Sequence, residues 1–205
     1  MLKKSSNLWA KYLFTFILTL NLVLSTNIVY GQDGFLDSRY TNNITQQVEK
    51  EMLAIDLKSG TVYIELYPEK APNHVARIKE LANEGFYDGV VFHRVIDGFM
   101  AQTGDPTGTG TGSSDKPDLK AEFNDIRHER GIVSMARAQN INSANSQFFI
   151  MFENVPSLNG QYTAFGKVVQ GMELVDEIKK GAGANGMVQD PDSMLRVRVV
   201  DSVGQ

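Results

Sequence analysis

From Met52 the chain alternates apolar and polar residues. Leu53, Ile55 and Leu57 fall on one side, and the alternation resumes over Thr61 to Tyr67 after Ser59-Gly60. A period of two is what a strand with one buried face requires, so two strands joined by a tight turn are predicted. Between Pro68 and Gly85 the period lengthens. Val75, Ile78, Leu81 and Ala82 follow helical spacing, Pro72 suits a first turn, and Gly85 suits the residue just past the end. This helix has one apolar face, which should close an opening in a sheet. His74 lies near its start and is read as solvent-facing rather than as a ligand.

The next run, Val90 to Ile96, is rich in strand formers and ends on the turn dipeptide Asp97-Gly98, so a hairpin is predicted. Counting by twos from the turn, Met100 and Gln102 share a face of the second strand, with Arg94 in the strand beside them. Further strands are expected at Gly131 to Ala136, Ser146 to Phe152, Tyr162 to Val169 and Met194 to Val203, and a second helix at Met172 to Lys180 with Gly181 as its stop. In Ser146 to Phe152 both faces are apolar. Gln147, Phe149 and Met151 lie on one, Phe148, Ile150 and Phe152 on the other, and both want cover. One can fill an interior and the other can line an outer groove with Arg94, Phe99 and Met100. At least seven strands and two helices indicate a mainly β protein, a closed antiparallel barrel capped by two α-helices, although periodicity alone fits a sandwich nearly as well.

Composition narrows the chemistry. Of 205 residues 42% are hydrophobic and 21% charged, which suits one sizeable core. There is no cysteine, so disulfides, thiol nucleophiles and cysteine metal sites are excluded. Three scattered histidines, a formal charge of -4 and no basic stripe point away from a metal centre and from nucleic acid. The glycine-rich stretch Gly104 to Ser114 lacks the Gly-Lys-Ser/Thr ending of a P-loop, and Ser113 stands where a dinucleotide fingerprint needs its third glycine. It is read as a long loop, and no cofactor is expected.

Met1 to Gly31 carries Lys3, Lys4 and Lys11 and no acid, followed by a mostly apolar run from Tyr12 to Leu24. A basic start ahead of such a run is the pattern of a secretory signal. Residues 1–31 are therefore expected to export the chain, either as a signal peptide cut before Gln32 or as an uncut membrane anchor. Residues 32–50 are polar and read as a linker, and residues 51–205 form the domain. A periplasmic or secreted location follows, with a possible membrane tether.

Four blocks in order carry a resemblance: Phe92 to Asp105, Gly131 to Ala136, Asn145 to Ile150 and Phe165 to Val168. Over about 150 residues the chain resembles the cyclophilins, which are peptidyl-prolyl cis-trans isomerases. The resemblance implies an eight-stranded barrel and an enzyme that rotates Xaa-Pro bonds in polypeptide substrates; with the export signal, it is expected to assist folding of exported proteins, and a monomer is expected. It implies catalytic roles for Arg94 and Gln102, an apolar pocket for the proline ring from Phe99, Met100, Phe149 and Leu158, and a groove lined by Ala136, Gln147 and Tyr162. Three positions depart from the best-known eukaryotic members. Ser157 replaces a Trp important for cyclosporin, Tyr162 replaces a His, and Arg137 stands where many have Asn, adding a second cation near the groove. A non-catalytic module for proline peptides, or a general chaperone, is the alternative.

Overall fold

The computed structural model describes residues 51–204; the expected signal or anchor segment and the linker lie outside the described residues. The alternation at the start of the domain becomes β1 (Met52–Leu57) and β2 (Gly60–Leu66), paired antiparallel from Met52 opposite Glu65 to Leu57 opposite Gly60. Leu53, Ile55 and Leu57 from β1, with Val62, Ile64 and Leu66 from β2, enter the main core. Helix α1 (Pro72–Asn83) lays Val75, Ile78, Leu81 and Ala82 onto that core. Each large side chain so buried contributes about 1.5–3 kcal/mol relative to exposure.

The remaining strands are β3 (Arg94–Ile96), β4 (Met100–Thr103), β5 (Ile132–Met135), β6 (Phe148–Met151), β7 (Ala164–Gln170) and β8 (Arg196–Val200). A second helix, α2 (Met172–Asp176), is shorter than its periodicity suggested, and a 3-10 turn covers Pro156–Leu158. All eight strands form one antiparallel sheet in the order β3-β4-β6-β5-β7-β2-β1-β8.

That sheet curls into a half-barrel, and the expected full closure is corrected on this point. No ladder joins β3 to β8, the two ends of the strand order. The physical reason lies in the loop after α2, which occupies the open edge of β3. Val95 donates to Gly186 O, while Gly181 and Val188 donate to Val95 O and His93 O. The first half of the expected strand at Val90 to Phe92 is drawn instead to residues 192–194, through an isolated bridge between Val91 and Ser193 and through Phe92 N–H to Asp192 O.

The start of α1 overturns the reading of His74. Its preceding residue, Ala71, has no side chain to cap the helix, and Glu122 supplies the missing acceptor from the loop before β5. The Glu122 carboxylate takes the backbone N–H groups of Asn73 and His74, together with Asn73 Nδ2. It also lies 2.6 Å from His74 Nδ1, and His74 is fully buried beneath it. An anion at the positive end of a helix is stabilising, and here it satisfies two of the N–H groups every helix leaves open.

Candidate active site

The β3–β4 hairpin brings Arg94 directly opposite Gln102. Its turn is closed by Phe99 N–H donating to Ile96 O, with Gly98 at φ +64°, where a side chain would be strained. Strand β4 then pairs with β6, setting Gln102 opposite Phe149 and Met100 opposite Met151. Because successive residues point to opposite faces, β6 sends Phe148 and Ile150 into the main core. Phe149 and Met151 form a second, smaller core with Met100, Ile132 and Ala164, against which Phe99, Ala136, Leu158 and Tyr162 pack. The two-sided apolar pattern of β6 thus has two separate destinations.

Above this second core lies a hollow of about 130 Å³ lined by Arg94, Phe99, Met100, Gln102, Ala136, Arg137, Phe149, Leu158 and Tyr162. Eight of the nine residues singled out by the sequence line it. The ninth, Gln147, stands just behind, its Oε1 accepting from Gln102 Nε2 at 2.9 Å. Leu158 reaches the hollow from the 3-10 turn. Phe149 and Tyr162 meet edge to face at 5.5 Å between centroids. Part of the wall is therefore an aromatic corner suited to a small saturated ring.

Arg94 is fixed by a line of neutral groups. Nε donates to Asn185 O at 2.9 Å and Nη1 to Gln102 Oε1 at 3.1 Å, while Gln147 Nε2 continues to Gly112 O at 2.8 Å. Nη2 makes no hydrogen bond among the described residues, so donors of a guanidinium remain for a ligand. The far end of the line is anchored by Asp105, which the sequence did not single out. Its carboxylate accepts the backbone N–H groups of Thr107, Thr109, Gly110 and Gly112 and the hydroxyl of Thr107. Burial of Asp105 works to raise its pKa, but these bonds from Thr107, Gly112 and Gly110 outweigh it and hold the carboxyl at about 2. The glycine-rich stretch is thus a loop wound around its own anion. Its first residue, Gly104, sits at φ +87° with Ser146 O where a Cβ would be.

His128 was also missed. It is fully buried behind the aromatic corner, stacked on Phe149 at 6.3 Å and edge-on to Tyr162 at 6.5 Å. Nδ1 faces Asn159 Oδ1 at 3.3 Å and Nε2 faces Ser134 Oγ at 2.8 Å. The acceptor at Asn159 puts the proton on Nδ1 and leaves Nε2 to accept from the serine hydroxyl. No local pattern marks such a residue, since its partners lie on three different segments.

The histidines carry a pH prediction. Burial pushes the pKa of His74, His93 and His128 below the ordinary 6.5, opposed by the Glu122 bond at His74, by Asp105 charge at His93 and by the Asn159 bond at His128. A folded-state pKa below the unfolded one means the neutral form is favoured by folding. The associated stability is present above about pH 6.5 and is lost as pH falls toward the folded values. The urea midpoint is expected to drop between about pH 7.5 and pH 5, and an unchanged midpoint would contradict this account.

Comparison with known proteins agrees with this geometry. Residues 52–199 match the family model described as "Cyclophilin type peptidyl-prolyl cis-trans isomerase/CLD". The chain is 55% identical over 157 residues to a probable peptidyl-prolyl cis-trans isomerase of Brucella suis, an alignment covering 71% of this chain and 80% of that protein. It is 50% identical over 121 residues to peptidyl-prolyl cis-trans isomerase B of Bacillus subtilis, covering 58% and 84%. Among solved structures it is similar to a cyclophilin-type isomerase of Cryptosporidium parvum crystallised in the presence of the dipeptide Ala-Pro. The TM-score is 0.66 and the identity 29%, over 73% of this chain and 98% of that one.

Proposed function

The chain belongs to the cyclophilin-type peptidyl-prolyl cis-trans isomerases, and from that premise we propose that Arg94 turns the prolyl bond, Gln102 orients it, and the enzyme works as an exported monomer on proteins folding outside the cytoplasm. The enzyme rotates Xaa-Pro peptide bonds in proline-containing polypeptides. Such a bond prefers trans by only about 0.5–1 kcal/mol, yet amide resonance opposes rotation with a barrier of roughly 18–20 kcal/mol. No bond is made or broken, so the catalyst must hold the ring, grip the chain and favour the twisted amide.

The observation that carries the assignment is the free side of Arg94 facing a hollow that Phe99, Met100, Phe149 and Leu158 help to line. In the twisted state the prolyl nitrogen loses conjugation and becomes a better acceptor, and the carbonyl oxygen changes its direction. Donors held in place by Gln102 and Asn185 O bond that state more strongly than the planar one, which is the condition for acceleration. Phe99, Met100, Phe149 and Leu158 hold the ring, while Ala136, Gln147 and Tyr162 border the adjoining chain.

Export rests on Lys3, Lys4 and Lys11 ahead of the apolar run from Tyr12 to Leu24. Cell fractionation with mass measurement is the test. The expected result is protein outside the cytoplasm, either beginning at Gln32 or full length in the membrane fraction. Full-length protein recovered wholly in the cytoplasm would overturn the exported role and leave the isomerase chemistry untouched.

A further inference from the structure

Arg137 follows β5 and lines the same hollow as Arg94, with a use the family resemblance does not assign. Its guanidinium carbon lies 4.7 Å from the centroid of Tyr162. Nη1 donates to Ala138 O and Nη2 to Gln161 O, each at 3.0 Å. Nε is buried without a partner. The group is therefore held over the ring by neutral acceptors, and no carboxylate among the described residues pairs with it. The same holds for Arg94, whose partners are a backbone carbonyl and a carboxamide. Two permanent cations thus line one small hollow without a paired carboxylate among the described residues, in a chain whose formal charge is -4.

A half-buried cation loses hydration, and neutral carbonyls recover only part of it. The remainder is recovered when a ligand brings an anion, and is made worse when a ligand brings a second cation. Resting on the isomerase reading, we propose that Arg137 is a specificity-determining residue which favours substrates carrying Asp or Glu beside the proline and disfavours those carrying Lys or Arg there. Tyr162 is part of the device. Its ring lies under the guanidinium, so the charge is held at one edge of the groove instead of swinging in solvent.

The test uses three short peptides alike except for Glu, Gln or Lys beside the proline, assayed for kcat/KM with the whole protein and with Arg137→Gln and Arg137→Lys. In the wild type the Glu peptide is expected to exceed the Lys peptide by about five- to tenfold, with Gln between, and the ratio should shrink in about 1 M salt. Arg137→Gln should bring the ratio to within about twofold of unity, whatever its absolute rate, whereas Arg137→Lys should keep the ranking with a smaller spread. Equal rates for the three peptides in the wild type, an undiminished ratio in Arg137→Gln, or a lost ranking in Arg137→Lys would each overturn the proposal. Absence of turnover on all three peptides would instead remove the catalytic roles given to Arg94 and Gln102, and this inference with them.

Discussion

Arg94→Ala is expected to lower kcat/KM on a short Xaa-Pro peptide by about two to three orders of magnitude, the range found when one preorganised donor to a developing charge is removed. Peptide affinity should change far less, because Phe99, Met100, Phe149 and Leu158 still line the hollow. The loss therefore falls on kcat, which marks a contact made in the twisted state and only weakly in the planar one. Arg94→Lys should recover little. An ammonium carries the charge, but it lacks the planar fork that bonds Asn185 O through Nε and Gln102 through Nη1 at once. The same variant separates the rival readings. A general chaperone acting through exposed apolar surface would be untouched by Arg94→Ala, and a purely peptide-binding module would show no turnover in either protein. A proline-switch assay alongside peptide titration decides among them, and equal rates in wild type and variant would sink the mechanism.

Asp105→Ala should have the second largest effect, and through stability first. Its carboxylate is the shared acceptor for four backbone N–H groups in a buried position. Orphaning such donors costs about 1–3 kcal/mol each, and the exposed part of the loop can turn toward water, so a net loss of about 2–4 kcal/mol is expected in urea denaturation. A second effect follows along the chain of bonds. Gly110 and Gly112 present the carbonyls that hold Gln147, and Gln147 holds Gln102. A loosened loop should therefore lower kcat/KM by about tenfold even in protein that remains folded. Because the Asp105 carboxyl is held at about 2, its contribution is complete above the ordinary carboxylate range. The gap between wild type and variant should begin to close only below about pH 4, as protonation sets in. A gap that already closes at pH 6 would place the stabilisation elsewhere.

The candidate site was legible in the sequence partly where its signal was local and partly through the family resemblance, which alone pointed to Ala136, Leu158 and Tyr162. Alternation across Phe92 to Gln102 and Ser146 to Phe152 gave the strands, their faces and the meeting of Arg94 with Gln102. What it missed acts across long separations. Glu122 caps a helix that begins 50 residues earlier in the chain, and it turned a supposedly solvent-facing His74 into a buried one. The loop at 181–188 seals the edge of β3 and so prevents the barrel from closing. His128 supports Phe149 and Tyr162 from a segment without periodicity. The second helix ends at Asp176 although Ile178 keeps the helical spacing, because Ile178 N–H bonds back to Val175 O in a tighter turn. Spacing reports which face a residue occupies, and it is silent about a distant acceptor arriving at a helix end or a sheet margin.

One feature of the topology bears on how the enzyme comes into being. Strand β1 lies between β2 and β8, so the first strand made obtains its second neighbour from the last. Until Arg196 to Val200 have emerged from the ribosome, Leu53 and Ile55 can be enclosed on one flank alone, and assembly must wait for nearly the entire domain. Seven of the eight strands can be synthesised before the opening strand gains a second neighbour, so the last few residues of the domain decide when the whole becomes cooperative.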